Sequence, residues 1–205
     1  MNTHARGRRP ATYQDVLDAP PNMVAELVRG ALHLQPRPAP RHARAASILG
    51  GEVVGPFDQG RGGPGGWWII FEPELHFGDD VLVPDLAGWR RERMPSIPSA
   101  PWFELAPDWV CEVLSPGTRR IDLTDKRDIY REAGVGHLWF VDPVARTLEA
   151  FEQRAGAWVL HAALKDDAEV RLAPFEAIAF PASALWIDQP GSTPGGSESS
   201  VPSAR

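Results

Sequence analysis

The sequence predicts an α/β domain, and three observations carry the expectation. A strand–helix–strand unit lies near the middle of the chain, shorter strand pairs flank it, and 205 residues with 43% hydrophobic content suffice to bury one core. The unit runs from Asp108 to Pro143. Trp109 to Leu114 is a short, Val-rich apolar run between Pro107 and Ser115-Pro116-Gly117, the pattern of a strand covered on both faces. One charge, Glu112, interrupts it. A helix follows, with Asp122 as its expected N-cap, Asp125 three residues on, and Gly134 at the C′ position. Ile129, Tyr130 and Ala133 mark its buried stripe. Lys126 lies three, four and seven residues before them and so shares that inward face. Val135 to Val141 is a second buried strand, stopped by Asp142-Pro143.

The remaining elements follow in order. Residues 1–11 read as a disordered lead, residues 12–188 as one domain, and residues 189–205, rich in Gly, Ser and Pro, as a disordered tail. Thr12 can cap a short helix through Ala19. Strands at 24–28 and 31–34 join at the Arg29-Gly30 turn signal, and Glu26 sits inside the first. Pro36 to Pro40 is a linker. Arg41 to Phe57 is a helix with Ala45, Ile48, Leu49 and Val53 on its apolar side and His42 in its first turn. The Gly-rich stretch 60–66 is a connecting loop, since no Gly-Lys-Ser/Thr follows and a strand, not a helix, comes next. Trp67 to Phe77 and Val81 to Trp89 read as two strands around a turn, with Pro84 marking an edge or bulge at Asp85. Residues 90–107 form a loop with a basic start. A hairpin over 147–162 and short strands near 170 and 180 complete the chain.

With a formal net charge of −6 and no long block of Lys and Arg, charge alone does not predict sustained non-specific binding to nucleic acid. Local basic patches and bound cations would have to meet a polyanion. The single cysteine, Cys111, excludes an intramolecular disulfide and suits the cytoplasm. No run reaches transmembrane length, so no membrane partner is expected.

Two carboxylates in core strands, Asp85 and Glu112, lie 27 residues apart. Burying one costs several kcal/mol unless it is paired or binds a metal. Two converging on one point invite a hard cation, and Mg²⁺ is held by one or two carboxylates plus substrate phosphate. Such a cation generates a nucleophilic hydroxide, and a nearby lysine would orient that water. The alternative is a pair of carboxylates satisfied by arginines or backbone N–H groups. Glu72 and Glu74 share a strand face. His42, His137 and the arginines 90, 91, 93, 119 and 120 are candidates for phosphate contact. Cys111 alternates with Glu112 and faces away, so it is a poor nucleophile. Trp102 and Trp109 read as packing residues.

The blocks VPDLAGW (83–89) and PDWVCEVLSPGTRRIDLTDKRDIYREAGVGHLWFVDP (107–143), with the hairpin AELVRGALHLQP (25–36) and the His42 helix, resemble the Uma-two family of endonucleases. That family belongs to the PD-(D/E)XK, or restriction-endonuclease-like, superfamily, and the resemblance covers roughly residues 12–185. It implies a restriction-endonuclease-like α/β core with a central mixed β-sheet flanked by helices. It further implies a Mg²⁺-dependent endonuclease acting on DNA, with Mn²⁺ as substitute cofactor. Asp85 and Glu112 would then be metal ligands, Glu26 would support the site, and Lys126 would be the migrated catalytic lysine. The superfamily's lysine should stand two residues after Glu112, where this chain has Leu114. That departs from the superfamily pattern but not from the Uma-two pattern. DNA and a second copy of the chain, as a homodimer, are the expected partners. The alternative function is a catalytically silent restriction-like domain that binds nucleic acid or protein.

Overall fold

The computed structural model describes residues 9–186. Two main sheets share the fold with a short two-stranded pair of Glu169–Val170 and Phe180–Pro181. The larger has six strands in the order β10-β9-β8-β7-β6-β3, and the smaller has four in the order β2-β1-β5-β4. In the large sheet, β7 (Trp109–Val113) and β8 (His137–Asp142) pair parallel. The other neighbours pair antiparallel: β3 (Trp67–Phe71), β6 (Leu86–Arg90), β9 (Thr147–Arg154) and β10 (Ala157–Lys165). A large mixed sheet flanked by helices is therefore the architecture, as the sequence predicts.

The parallel pair is where the crossover helix belongs. That helix begins at α3 (Arg119–Ile121), widens into a π-type turn over Asp122–Lys126, and continues as α4 (Arg127–Ala133). It ends at Gly134, whose left-handed φ of 86° only glycine adopts without strain. The helix covers one face of the large sheet, together with the small sheet: β1 (Met23–Val28), β2 (Ala31–Pro36), β4 (Leu75–Phe77) and β5 (Asp80–Leu82). The opposite face is covered by α2 (Pro40–Val53), with Phe57, Phe175 and Trp186. The sidedness of β7 follows from its alternation. Trp109, Cys111 and Val113 enter the α2 core, while Val110 and Leu114 enter the α4 core.

Several boundaries differ from the sequence reading. The expected single strands 67–77 and 81–89 are each broken in two, and each passes from one sheet to the other. The first break falls at Glu72, where φ is +46°. The second falls at Pro84-Asp85, since proline cannot donate to a ladder. Asp85 thus precedes β6 rather than lying inside a strand. The helix start is also corrected, because Asp122 is not the N-cap but lies inside the helix with its side chain buried. The predicted lead is partly packed: the Ala11 N–H donates to the Gly30 carbonyl, and Arg9 pairs with Asp15 in front of α1 (Tyr13–Leu17). Residues 1–8 and the predicted tail lie outside the described residues.

Candidate active site

The small sheet packs over β7 and the crossover helix, and this brings Glu26, Glu112 and Lys126 together inside the protein. All three are almost wholly buried, at 1%, 3% and 2% exposure. The Lys126 Nζ lies 2.7 Å from Glu112 Oε1, 2.8 Å from Glu26 Oε1 and 3.4 Å from Asp122 Oδ1. Three carboxylates thus surround this one ammonium. The Tyr130 hydroxyl donates to the same Glu112 Oε1 at 2.5 Å. Glu26 is held from its other side, with Oε2 accepting from Gln35 Nε2 at 2.6 Å and Oε1 accepting from the Val83 N–H at 2.8 Å.

Asp85 stands beside this cluster at the start of β6. Its Oδ2 accepts the Val113 N–H at 2.7 Å, and its Oδ1 pairs with His42 Nε2 at 3.2 Å. Asp85, Glu112, Asp122, Lys126 and His42 all line one cleft of about 370 Å³. The cleft's walls are the segment Leu34–Ala39, the Ser115–Thr118 turn and Glu72. The sequence-predicted residues Asp85, Glu112, Lys126 and Glu26 are therefore neighbours in space, although Glu26 sits behind the cleft rather than on its wall.

The electrostatics follow from burial and proximity. Burial pushes the Glu112 carboxyl well above its usual range, against the pull of Lys126. Burial also raises Asp122, again opposed by Lys126. Burial works against the Lys126 ammonium, but Glu112 and Glu26 override it and raise its pKa, so the amine stays charged. For His42, burial favours the neutral ring, yet the Asp85 carboxylate outweighs it and raises the pKa, helped by the Val113 main chain. The His42 Nδ1 is buried and has no hydrogen-bond partner among the described residues.

The donor set suits a hard cation that brings ligands of its own. Both polar contacts of Glu112 fall on Oε1, and Oε2 makes no hydrogen bond among the described residues. Asp85 Oδ1 and Glu112 Oε2 are hard oxygens on one cleft, as Mg²⁺ or Mn²⁺ requires. Among the described residues, no group of three or more His, Cys, Asp or Glu is arranged to hold a metal ion. Glu26 and Asp122 are committed to Lys126 instead. A cation here would complete its sphere with water and substrate phosphate.

Other candidates fall elsewhere. Glu74 accepts from Tyr13 and pairs with His76 in the small sheet, away from Glu72 on the cleft wall, so the two do not share a strand face. His137 is held toward its neutral form by burial, which outweighs the charge of Glu152, and it does not line the cleft. Four of the five loop arginines are engaged internally. Arg90 stacks on Trp67, Arg91 stacks on Trp68 and bonds Asp58, Arg93 pairs with Asp108, and Arg119 pairs with Asp142. Arg120 is exposed and does not line the cleft. Burial drives the Cys111 thiol well up, and the residue sits in the α2 core. Trp109 packs edge-on to Trp139, and Trp102 stacks on His76.

Sequence reasoning missed Asp122, Tyr130, Gln35 and Arg37 as site residues. One signal was present, because Asp122, Lys126 and Tyr130 repeat every four residues and so stack on one helical stripe.

Comparison with known proteins agrees with the fold. A family model for Uma2, described as "Putative restriction endonuclease", matches residues 10–183. No curated protein matches the chain. Among solved structures, one from Anabaena variabilis, titled as "a putative nuclease belonging to DUF820", superposes with a TM-score of 0.69. The two are 22% identical, and the match covers 86% of this chain and 97% of that one.

Proposed function

This chain belongs to the Uma2 family of restriction-endonuclease-like nucleases, and from that premise we propose that it hydrolyses phosphodiester bonds of DNA with Mg²⁺ as cofactor, Mn²⁺ substituting. The observation that carries the proposal is the convergence of Asp85, just before β6, and Glu112, in the neighbouring β7, on one cleft with Lys126 bound to Glu112 at 2.7 Å. Asp85 and Glu112 would hold the cation, which supplies a water of lowered pKa and stabilises charge on the phosphate.

The chain's own residues divide the remaining work. Lys126 stays protonated amid three carboxylates, so it serves as a positioning residue and not as a proton acceptor. Holding Glu112 by Oε1 leaves Oε2 for a cation. Glu26 anchors Lys126 from behind, through Gln35 and the Val83 N–H. His42 fixes Asp85 by Oδ1, and the Val113 N–H fixes it by Oδ2. The site's four carboxyls outnumber its cations, an imbalance that a divalent ion would offset.

The test is a plasmid nicking assay with Mg²⁺ or Mn²⁺, beside calorimetric titration of Mn²⁺. Activity and metal binding are expected in the wild type, and Asp85→Asn and Glu112→Gln are expected to lose both. A second reading, the silent binding module, is favoured by the full commitment of Lys126 and the lack of a three-ligand group among the described residues. A wild type without hydrolysis or metal binding, but with retained affinity for nucleic acid, establishes that reading instead.

A further inference from the structure

We propose that Arg37, Arg41 and Arg44 form a binding rim for a nucleic-acid backbone and lead the strand into the cleft; the inference rests on the nuclease reading above. The acidic cleft poses a problem for a polyanion. Its lining holds Glu72, Asp85, Glu112 and Asp122, and its lysine is buried and already paired. The chain as a whole carries −6. A phosphate backbone therefore needs cations at the mouth that no internal acid has neutralised.

Arg91, Arg93 and Arg119 fail that requirement, because each pairs with an acid, and Arg90, stacked over Trp67, does not line the cleft. Arg29 is likewise divided between Asp80 and Glu132. The segment Pro36–Arg44 meets it. Arg37 lines the cleft and is exposed, and it makes no hydrogen bond or ion pair among the described residues. Arg41 and Arg44 do not line the cleft themselves but flank the cleft-lining His42 in the chain, exposed and without such partners. Three residues apart on α2, they share one flank. The buried positions of α2, Ala45, Leu49 and Val53, lie on another, and His42 on that side reaches Asp85. One element thus presents His42 to the Asp85 carboxylate and two guanidinium groups to solvent.

The rim is also stiff. Pro36, Pro38 and Pro40 fix their own φ, and each following proline holds Arg37 and Ala39 extended. A guanidinium held on such a segment loses less freedom on meeting phosphate, and its planar fork suits that anion. Contacts of this kind read the backbone and not the bases, so they act alike on every sequence.

The test measures affinity by fluorescence anisotropy for labelled single-stranded and duplex DNA across a salt series, with Ca²⁺ replacing Mg²⁺. Each of Arg37→Ala, Arg41→Ala and Arg44→Ala is expected to shrink the slope of log K against log salt. The loss is about 0.9 on duplex or about 0.7 on single strands per contact removed. The triple variant should lose roughly three times as much, and arginine-to-lysine variants should largely restore the slope. Arg61 serves as the control, because it lies beyond the far end of α2, a helix about 20 Å long; Arg61→Ala should leave the slope unchanged. In turnover, KM should rise more than kcat falls, while the melt and Mn²⁺ affinity stay at wild-type values.

A triple variant with the wild-type slope overturns the rim while leaving the nuclease reading standing. An equal loss in Arg61→Ala overturns it too, by reducing the effect to overall charge. A wild type with no salt-dependent binding to either DNA fails the nuclease reading itself, and the rim with it. Should the triple variant not fold, the three single variants decide.

Discussion

At Lys126, three carboxylates surround one ammonium, so removing the side chain strands Glu26, Glu112 and Asp122 in the interior without a counter-charge. Lys126→Ala is therefore expected to destabilise the fold by about 3–5 kcal/mol, read by denaturant titration. A variant as stable as wild type would show that the carboxylates do not depend on the amine. Tyr130 supports the same oxygen of Glu112 from above. Tyr130→Phe leaves a buried carboxyl oxygen of Glu112 without its hydroxyl donor and should cost about 1–3 kcal/mol. The pH behaviour of Glu112 can be worked out from the direction of its shift. Its folded pKa is raised above the ordinary 4.5, mainly by burial, so the folded protein holds that proton more tightly than the unfolded chain. The stability it contributes is complete below 4.5 and is lost as pH rises through the raised value. Glu112→Gln keeps the acceptor oxygen but cannot ionise. Without divalent metal, the difference in Tm between variant and wild type should move in the variant's favour as pH rises above the ordinary carboxyl value of 4.5. A difference independent of pH overturns this account.

Among the elements, the crossover helix has two special points. Between Asp122 and Lys126 it widens to a π-type turn, a feature that concentrates at functional sites and here sets the buried acid beside the buried amine. At its end, Gly134 turns the chain back toward β8 with φ of 86°. Any side chain at that position meets the left-handed penalty, so Gly134→Ala should cost about 1–2 kcal/mol. The glycine lies outside the cleft lining, so Mn²⁺ affinity should not change; a calorimetric titration beside the melt checks both. The breaks at Glu72 and Pro84-Asp85 serve the site as well. They carry the chain between the two sheets, and they leave Asp85 at the junction where its carboxylate can receive the Val113 N–H.

At the scale of the whole molecule, the core closes through the last described turn. Ala182, Leu185 and Trp186 are buried against α2, while the Gly, Ser and Pro composition after Gln189 cannot bury a core. Truncation after Asp188 should leave Tm unchanged. Truncation after Pro181 strips three core residues and should abolish the cooperative melt. Loss of the melt on truncation after Asp188 would show that the tail is docked.

The sequence by itself determined the strand–helix–strand unit, the inward face of Lys126 and the candidacy of Asp85 and Glu112, while Glu26 was a candidate through the family resemblance alone. The former rest on period and punctuation: an apolar run broken by one charge, a four-residue stripe, a glycine at the C′ position. Among the described residues, no helix is long and apolar enough to cross a membrane, in keeping with those runs. Tertiary structure alone decided the rest. Local pattern cannot say which sheet a strand joins, so two long strands were expected where four short ones cross between sheets. Nor can it reveal that Asp122 points inward, because an acid near a helix start satisfies capping rules equally well. Partner choice among charges depends on distances across the fold. Only folding together β1, β7 and the crossover helix committed Glu26 and Asp122 to Lys126, tied most loop arginines inward, and left Arg37 exposed at the cleft.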